Sequence, residues 1–237
     1  MKPEECAEGR LTSSCDRGLR QYPHRYPTPR FHTAMPFKRN PMDITHEHRM
    51  REWVGWLYPS SQLNRRHYDM LGHSAFMTAY FYPEPIAESR YGDILKIFIH
   101  FFIIDDHTDN PSYGDVRRRV DEGRLVWGQF RAMFDELAGA RVPMNEWKSY
   151  VVGVYPVYKE VYQALDADQR LRYVDEWQKY CDGCQEENEA LSKMTDFTPI
   201  TLQQYWSIRV KSIGIRPSIQ LLEYLYEFHI PNWEHPD

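Results

Sequence analysis

The stretch from Ile94 to Asp109 reads ILKIFIHFFIIDDHTD, and its spacing predicts an α-helix. Ile94, Phe98, Phe101 and Asp105 recur at intervals of four, three and four residues, the repeat of one helical face, with Phe102, Asp106 and Asp109 beside it. An aromatic stripe therefore leads straight into a group of carboxylates. Asp105 and Asp109 stand one helical turn apart, and carboxylates that close repel one another unless a cation lies between them. Hard oxygen ligands of this kind suit Mg²⁺, which takes one or two carboxylates, waters and the phosphates of a substrate. An apolar wall below a metal clamp would fit a substrate with a greasy body and a diphosphate head. The residues alone leave a second reading open, a solvated helix end running into a turn at Asn110-Pro111. Against it, the helix dipole disfavours acids at a C-terminus, and the Ile and Phe residues before Asp105 argue for burial. An EF-hand loop fails, because Asn110 stands where that loop needs glycine and Val116 where it needs its closing glutamate.

Working outward, the 237 residues suffice for one core. Hydrophobic residues make up 42% and charged residues 27%, the balance of a soluble globular chain. Aromatics are high at 15%, compatible with an aromatic-lined cavity as well as with ordinary core packing. A net charge of −5 offers no general attraction to nucleic acid or to anionic membranes. An anionic substrate would need local cations or metal. Cys181 and Cys184 form a CxxC inside a helical, Glu-rich stretch, with Cys6 and Cys15 far off near the N-terminus, so a zinc site lacks further ligands. The N-terminus has no apolar run of a secretory signal, and the longest apolar run is too short to span a bilayer. The expectation is an intracellular, cytoplasmic protein without membrane or nucleic-acid partners.

Residues 1–36 are rich in Pro, Arg and Ser and show no period, which reads as a flexible arm. From residue 37 the pattern is helical throughout. Helices are expected over about 41–57, 62–80, 86–107, 115–139, 143–165 with a kink at Pro156, and 166–193. Two more are expected over 202–212 and 217–228, around a break at Gly214. No strand or repeat is visible, so the fold class is all-α.

Several segments together carry a resemblance. Asp105-Asp106-His107-Thr108-Asp109 resembles the DDxxD motif of class I terpene synthases. Arg39-Asn40-Pro41, Trp53 and Tyr82-Pro83 are similar to features of the microbial and fungal branch. Arg209-Val-Lys-Ser212-Ile213-Gly214-Ile-Arg-Pro217 resembles its diphosphate-sensor segment. The likeness runs from about Phe37 to Pro236.

The resemblance implies a class I terpenoid synthase helical bundle over residues 37–237. It implies Mg²⁺ as cofactor on Asp105, Asp106 and Asp109, and a prenyl diphosphate, most commonly farnesyl diphosphate, as substrate. Carried over, Arg209 senses the diphosphate, Ser212 links, the Ile213 carbonyl aids ionisation, and Gly214 gives the bend. Ser212 departs from the Asp or Thr frequent there. Tyr82, Phe98, Phe101, Phe102 and Trp206 are the candidate cavity aromatics; Lys211 and Arg216 are expected to be exposed. After Pro217 the sequence shows neither the family's Asn/Asp–Ser/Thr–Glu metal triad nor its Arg-Tyr pair. The bundle is therefore expected to be incomplete at its C-terminus and cyclisation weak or absent. The alternatives are a helical protein that binds a prenyl diphosphate without converting it, and a chain-elongating prenyl diphosphate synthase, which usually carries two Asp-rich motifs.

Overall fold

The computed structural model describes residues 38–41, 43–57, 65–84, 87–109, 116–193 and 201–231; the side chains of 43–48, 65–70, 106, 107, 109, 116–119 and 191–193 also fall outside what is described. The expected N-terminal arm, 1–36, lies outside the described residues. The described helices are α1 (Asp43–Leu57), α2 (Arg65–Phe81), α3 (Glu88–Asp109), α4 (Val116–Leu137), α5 (Ser149–Ala164), α6 (Ala167–Lys193), α7 (Leu202–Ser212) and α8 (Ile215–Tyr226). No strand occurs among the described residues.

α3 is the central helix. Ile94, Leu95, Ile97, Phe98, Ile99, Ile103 and Ile104 are all buried, so apolar contact surrounds it. A helix greasy on every side has to be enclosed by others, and α2, α4, α5 and α8 enclose this one. Beside it lies a core of aromatic rings from α4, α5 and α6. Phe134 stacks on Trp177 at 5.3 Å, and Phe130 meets Tyr158 edge-on at 5.1 Å. His100 faces this core, 5.1 Å from the Phe130 ring, and burial holds its pKa down at about 3, so the ring is neutral.

Buried polar groups fix the corners. Asn40 donates its side-chain amide to the carbonyls of Tyr82 (3.1 Å) and Glu84 (2.8 Å), just past α2, and its backbone N–H to Ala79 (3.0 Å), a carbonyl in the last turn of α2. α8 is tied to α3 by the Tyr224 hydroxyl on Asp93 (2.9 Å), and to α6 by Arg216, which donates twice to the buried Glu176 at 2.5 and 2.7 Å. α6 opens on Asp166, whose carboxylate accepts from the Gln169 N–H at 2.9 Å while the Gln169 side chain accepts from the Asp166 N–H at 2.9 Å. Cys181 and Cys184 are buried and unbridged.

One local expectation is corrected. The helix expected from Pro143 starts only at Ser149. Trp147 closes a turn onto the Met144 carbonyl at 3.2 Å, and the Lys148 N–H is taken by the Gln129 side chain at 2.9 Å. α5 runs through Pro156, as the expected helix does. Pro156 lies on the exposed face, where water can meet the Val152 carbonyl that it leaves unpaired.

Candidate active site

α3 ends in the aspartates, and the α7–α8 break stands across from it. A cavity of about 330 Å³ lies between them, at the low end of the usual ligand-pocket range. α3 contributes Phe98, Phe101, Phe102 and Asp105, and the break contributes Arg209, Ser212, Ile213, Gly214, Ile215 and Ser218. α2 adds Met77 and Phe81, and α6 adds Tyr180.

The aromatic wall is continuous. Phe81 and Phe98 stand 5.7 Å apart, Phe98 and Phe101 6.3 Å, and Phe101 and Tyr180 4.6 Å. At its upper edge Asp105 is exposed. The backbone of α3 stays helical to Asp109, so positions 105 and 109 are one turn apart. The side chains of Asp106 and Asp109 lie outside the described residues. Among the described residues, no group of three or more His, Cys, Asp or Glu stands together as a metal would need.

The opposite wall depends on two glycines. Gly214 separates α7 from α8 in the left-handed region, φ 71°. A Cβ there would meet Phe101 at 3.1 and 3.2 Å and Tyr180 at 3.4 Å, so glycine lets the break press against the aromatic wall. At Gly183 a Cβ would meet the Lys211 Cβ at 2.4 Å and the Ser212 nitrogen at 2.9 Å, so its absence allows α7 to cross close over α6. That crossing sets where Arg209 can reach. Arg209 lines the cavity and donates through Nη1 to both oxygens of Glu187, at 3.3 and 3.5 Å. The Ser212 hydroxyl is buried at the cavity wall with no hydrogen-bond partner among the described residues. A hydroxyl and a guanidinium that can donate, with a carboxylate that can ligate a cation, suit a metal-bound oxyanion.

Burial, reinforced by the nearby Cys184 thiol and Asp105 carboxylate, pushes the Tyr180 phenol well above its ordinary pKa, so it remains protonated. Lys211 pairs with Glu186 at 2.8 Å and Arg216 with Glu176; both cations are exposed and neither lines the cavity.

Eight of the residues named from the sequence thus surround one hollow: Asp105, Arg209, Ser212, Ile213, Gly214, Phe98, Phe101 and Phe102. Two named aromatics do not. Tyr82 turns into the interior, where its hydroxyl donates to the Ser218 carbonyl at 2.7 Å, so it supports α8 from behind the wall. Trp206 is 55% exposed on α7 beside Tyr205, on an exposed stripe with Leu202 and Val210, and does not line the cavity. Sequence reading assigned neither Met77 nor Tyr180 to a site. Ile215 entered only as part of the Arg209–Pro217 segment, and Phe81 and Ser218 gave no signal.

The fold has solved counterparts. Germacradien-4-ol synthase from Streptomyces citricolor superposes with a TM-score of 0.69 at 16% identity, over 86% of this chain and 65% of that one. Linalool/nerolidol synthase from Streptomyces clavuligerus, solved with 2-fluorogeranyl diphosphate, gives 0.66 at 18%, over 87% of this chain and 63% of that one. An a-eudesmol synthase gives 0.69 at 18%, over 88% and 66%. The chain thus spans just under two thirds of the length of these structures, and at such identities the likeness establishes the class I terpene synthase helical fold. No curated protein sequence matches the chain. Among the described residues no helix is long and apolar enough to cross a membrane. The family model described as terpene synthase family 2, C-terminal metal binding, matches residues 96–237, which takes in the later part of α3 with its aspartates, the Arg209–Pro217 segment and more than half of the sequence. On that match, the chain belongs to terpene synthase family 2.

Proposed function

We propose that this site binds a prenyl diphosphate with Mg²⁺ and ionises it, farnesyl diphosphate being the substrate of first choice and a sesquiterpene the product. One observation carries the proposal: Asp105 and Arg209, from helices far apart in sequence, stand over a single hollow whose floor is Phe98, Phe101, Phe102 and Tyr180. The family's description as metal-binding and the diphosphate analogue held by the Streptomyces clavuligerus enzyme support the ligand class.

Asp105, with Asp106 and Asp109, would hold the Mg²⁺. Bound there, the metal would supply Lewis-acid charge to the leaving diphosphate. Arg209 binds the diphosphate oxygens with a fork that cannot lose its proton. Ser212 would donate its unpaired hydroxyl, and the Ile213 carbonyl at the break would stabilise developing positive charge. The aromatic floor stabilises an allylic cation by roughly 0.5–2 kcal/mol per well-placed ring and keeps water from its lower face.

Binding without efficient turnover is the second reading. It is favoured by the rim, where Phe81, Ile213 and Ile215 are each close to 45% exposed, so water reaches the upper part of the cavity. Ionisation there meets water before cyclisation is complete. The test is incubation with farnesyl diphosphate and analysis of the extract by gas chromatography and mass spectrometry. Slow, Mg²⁺-dependent release of terpene alcohols or hydrocarbons, abolished by EDTA and by Asp105→Asn, is expected. The absence of Mg²⁺-dependent product together with the absence of Mg²⁺-dependent ligand binding refutes both readings.

A further inference from the structure

Arg209 meets one acidic partner among the described residues, Glu187 on α6, and only through Nη1. Glu187 does not line the cavity, whereas Arg209 does. The guanidinium therefore lies between a carboxylate behind it and the hollow in front. The pair is partly sheltered, with side chains 38% and 25% exposed. A second pair repeats the theme nearby, Lys211, two residues along α7, on Glu186, next to Glu187.

We propose that Glu187 is a positioning residue of the anion site: by holding one terminal nitrogen of Arg209, it keeps the remaining donors of the fork turned toward the cavity. This rests on the reading of the cavity as a diphosphate site. An arginine side chain has much rotamer freedom to lose, and ordering it before the ligand arrives removes that cost from binding. Glu187 also places a negative charge near an anionic ligand, which works against binding. The two effects separate by substitution. Glu187→Gln removes the charge but keeps an acceptor for Nη1; Glu187→Ala removes both.

The experiment is isothermal titration of inorganic pyrophosphate in MgCl₂ into the full chain, with melting temperature as a control on the fold. The expected result is that Glu187→Ala weakens binding about three- to tenfold, while Glu187→Gln stays within about twofold of the parent or binds more tightly. In an Arg209→Ala background, Glu187→Ala should cost nothing further, an outcome that a merely structural role would not produce. Unchanged or tighter binding by Glu187→Ala, or the same loss with and without Arg209, overturns the assignment. If the parent chain fails to bind pyrophosphate, or Arg209→Ala binds as well as the parent, the diphosphate reading of the cavity falls and the role of Glu187 falls with it. If those two behave as expected and only the Glu187 variants do not, the positioning role alone is wrong.

Discussion

Replacing Gly214 by alanine should damage the molecule more than any comparable change at a helix end. Two costs add. At φ 71° an alanine pays the left-handed penalty of roughly 1–2 kcal/mol. Its methyl would also stand 3.1 and 3.2 Å from the Phe101 ring. That ring has little room to retreat, with Trp177 at 5.0 Å and Tyr180 at 4.6 Å, and overpacking of this kind costs about 1–3 kcal/mol. Lower entropy of the unfolded chain returns about 0.4–1 kcal/mol. The net expectation is a loss of about 2–3 kcal/mol, read by urea unfolding as a lower midpoint at unchanged slope. Gly72→Ala is the control. Gly72 lies within α2 with nothing within 4 Å of an added Cβ, so alanine there should stabilise by about 0.5–1 kcal/mol. A loss at Gly214 below about 1 kcal/mol would mean that the break does not press on the aromatic wall as described.

Other expectations follow from the same contacts. His100 is neutral in the fold, with its pKa lowered to about 3, and takes up a proton near 6.5 once unfolded. The unfolded state therefore binds more protons below pH 6.5, and stability is full above that pH and falls as pH drops toward 3; between pH 6.5 and 5 the loss should be about 2 kcal/mol, and His100→Phe should flatten it in urea titrations at the two pH values. Tyr82→Phe removes the bond to the Ser218 carbonyl and should cost about 1 kcal/mol of stability with pyrophosphate affinity changed less than twofold, whereas a direct ligand contact would reverse that order. Trp206→Lys should reduce binding of a hydrophobic dye and aggregation, through the exposed stripe on α7, and leave ligand affinity unaltered; a large loss of affinity would return Trp206 to the cavity.

The all-α fold and the central helix were legible because α3 carries both signals at full strength, an apolar period and an abrupt run of aspartates. The break between α7 and α8 was legible for a different reason: a glycine and a proline three residues apart mark it, with an arginine one turn before it. The partners of these elements were not legible. Nothing local separates Tyr82, turned inward onto α8, from Phe81 beside it, which lines the cavity, since both sit in the α2 corner and only the path of α8 decides. Trp206 misled because an aromatic on an amphipathic helix normally faces the core, and here α6 takes the other face of α7. The start of α5 was hidden by a tertiary bond from the Lys148 N–H to the Gln129 side chain. The close crossing at Gly183 and the pairing of Glu187 with Arg209 depend on two helices meeting, which no periodicity along one of them reveals.

The central claim, that acidic residues at the end of α3 and Arg209 on α7 jointly hold a metal-bound diphosphate over an aromatic floor, is tested most directly by calorimetric titration of a fluorinated prenyl diphosphate. The account predicts binding in MgCl₂ that disappears in EDTA and weakens at least tenfold in both Asp105→Asn and Arg209→Ala. Equal affinity with and without Mg²⁺, or affinity indifferent to both substitutions, would contradict it.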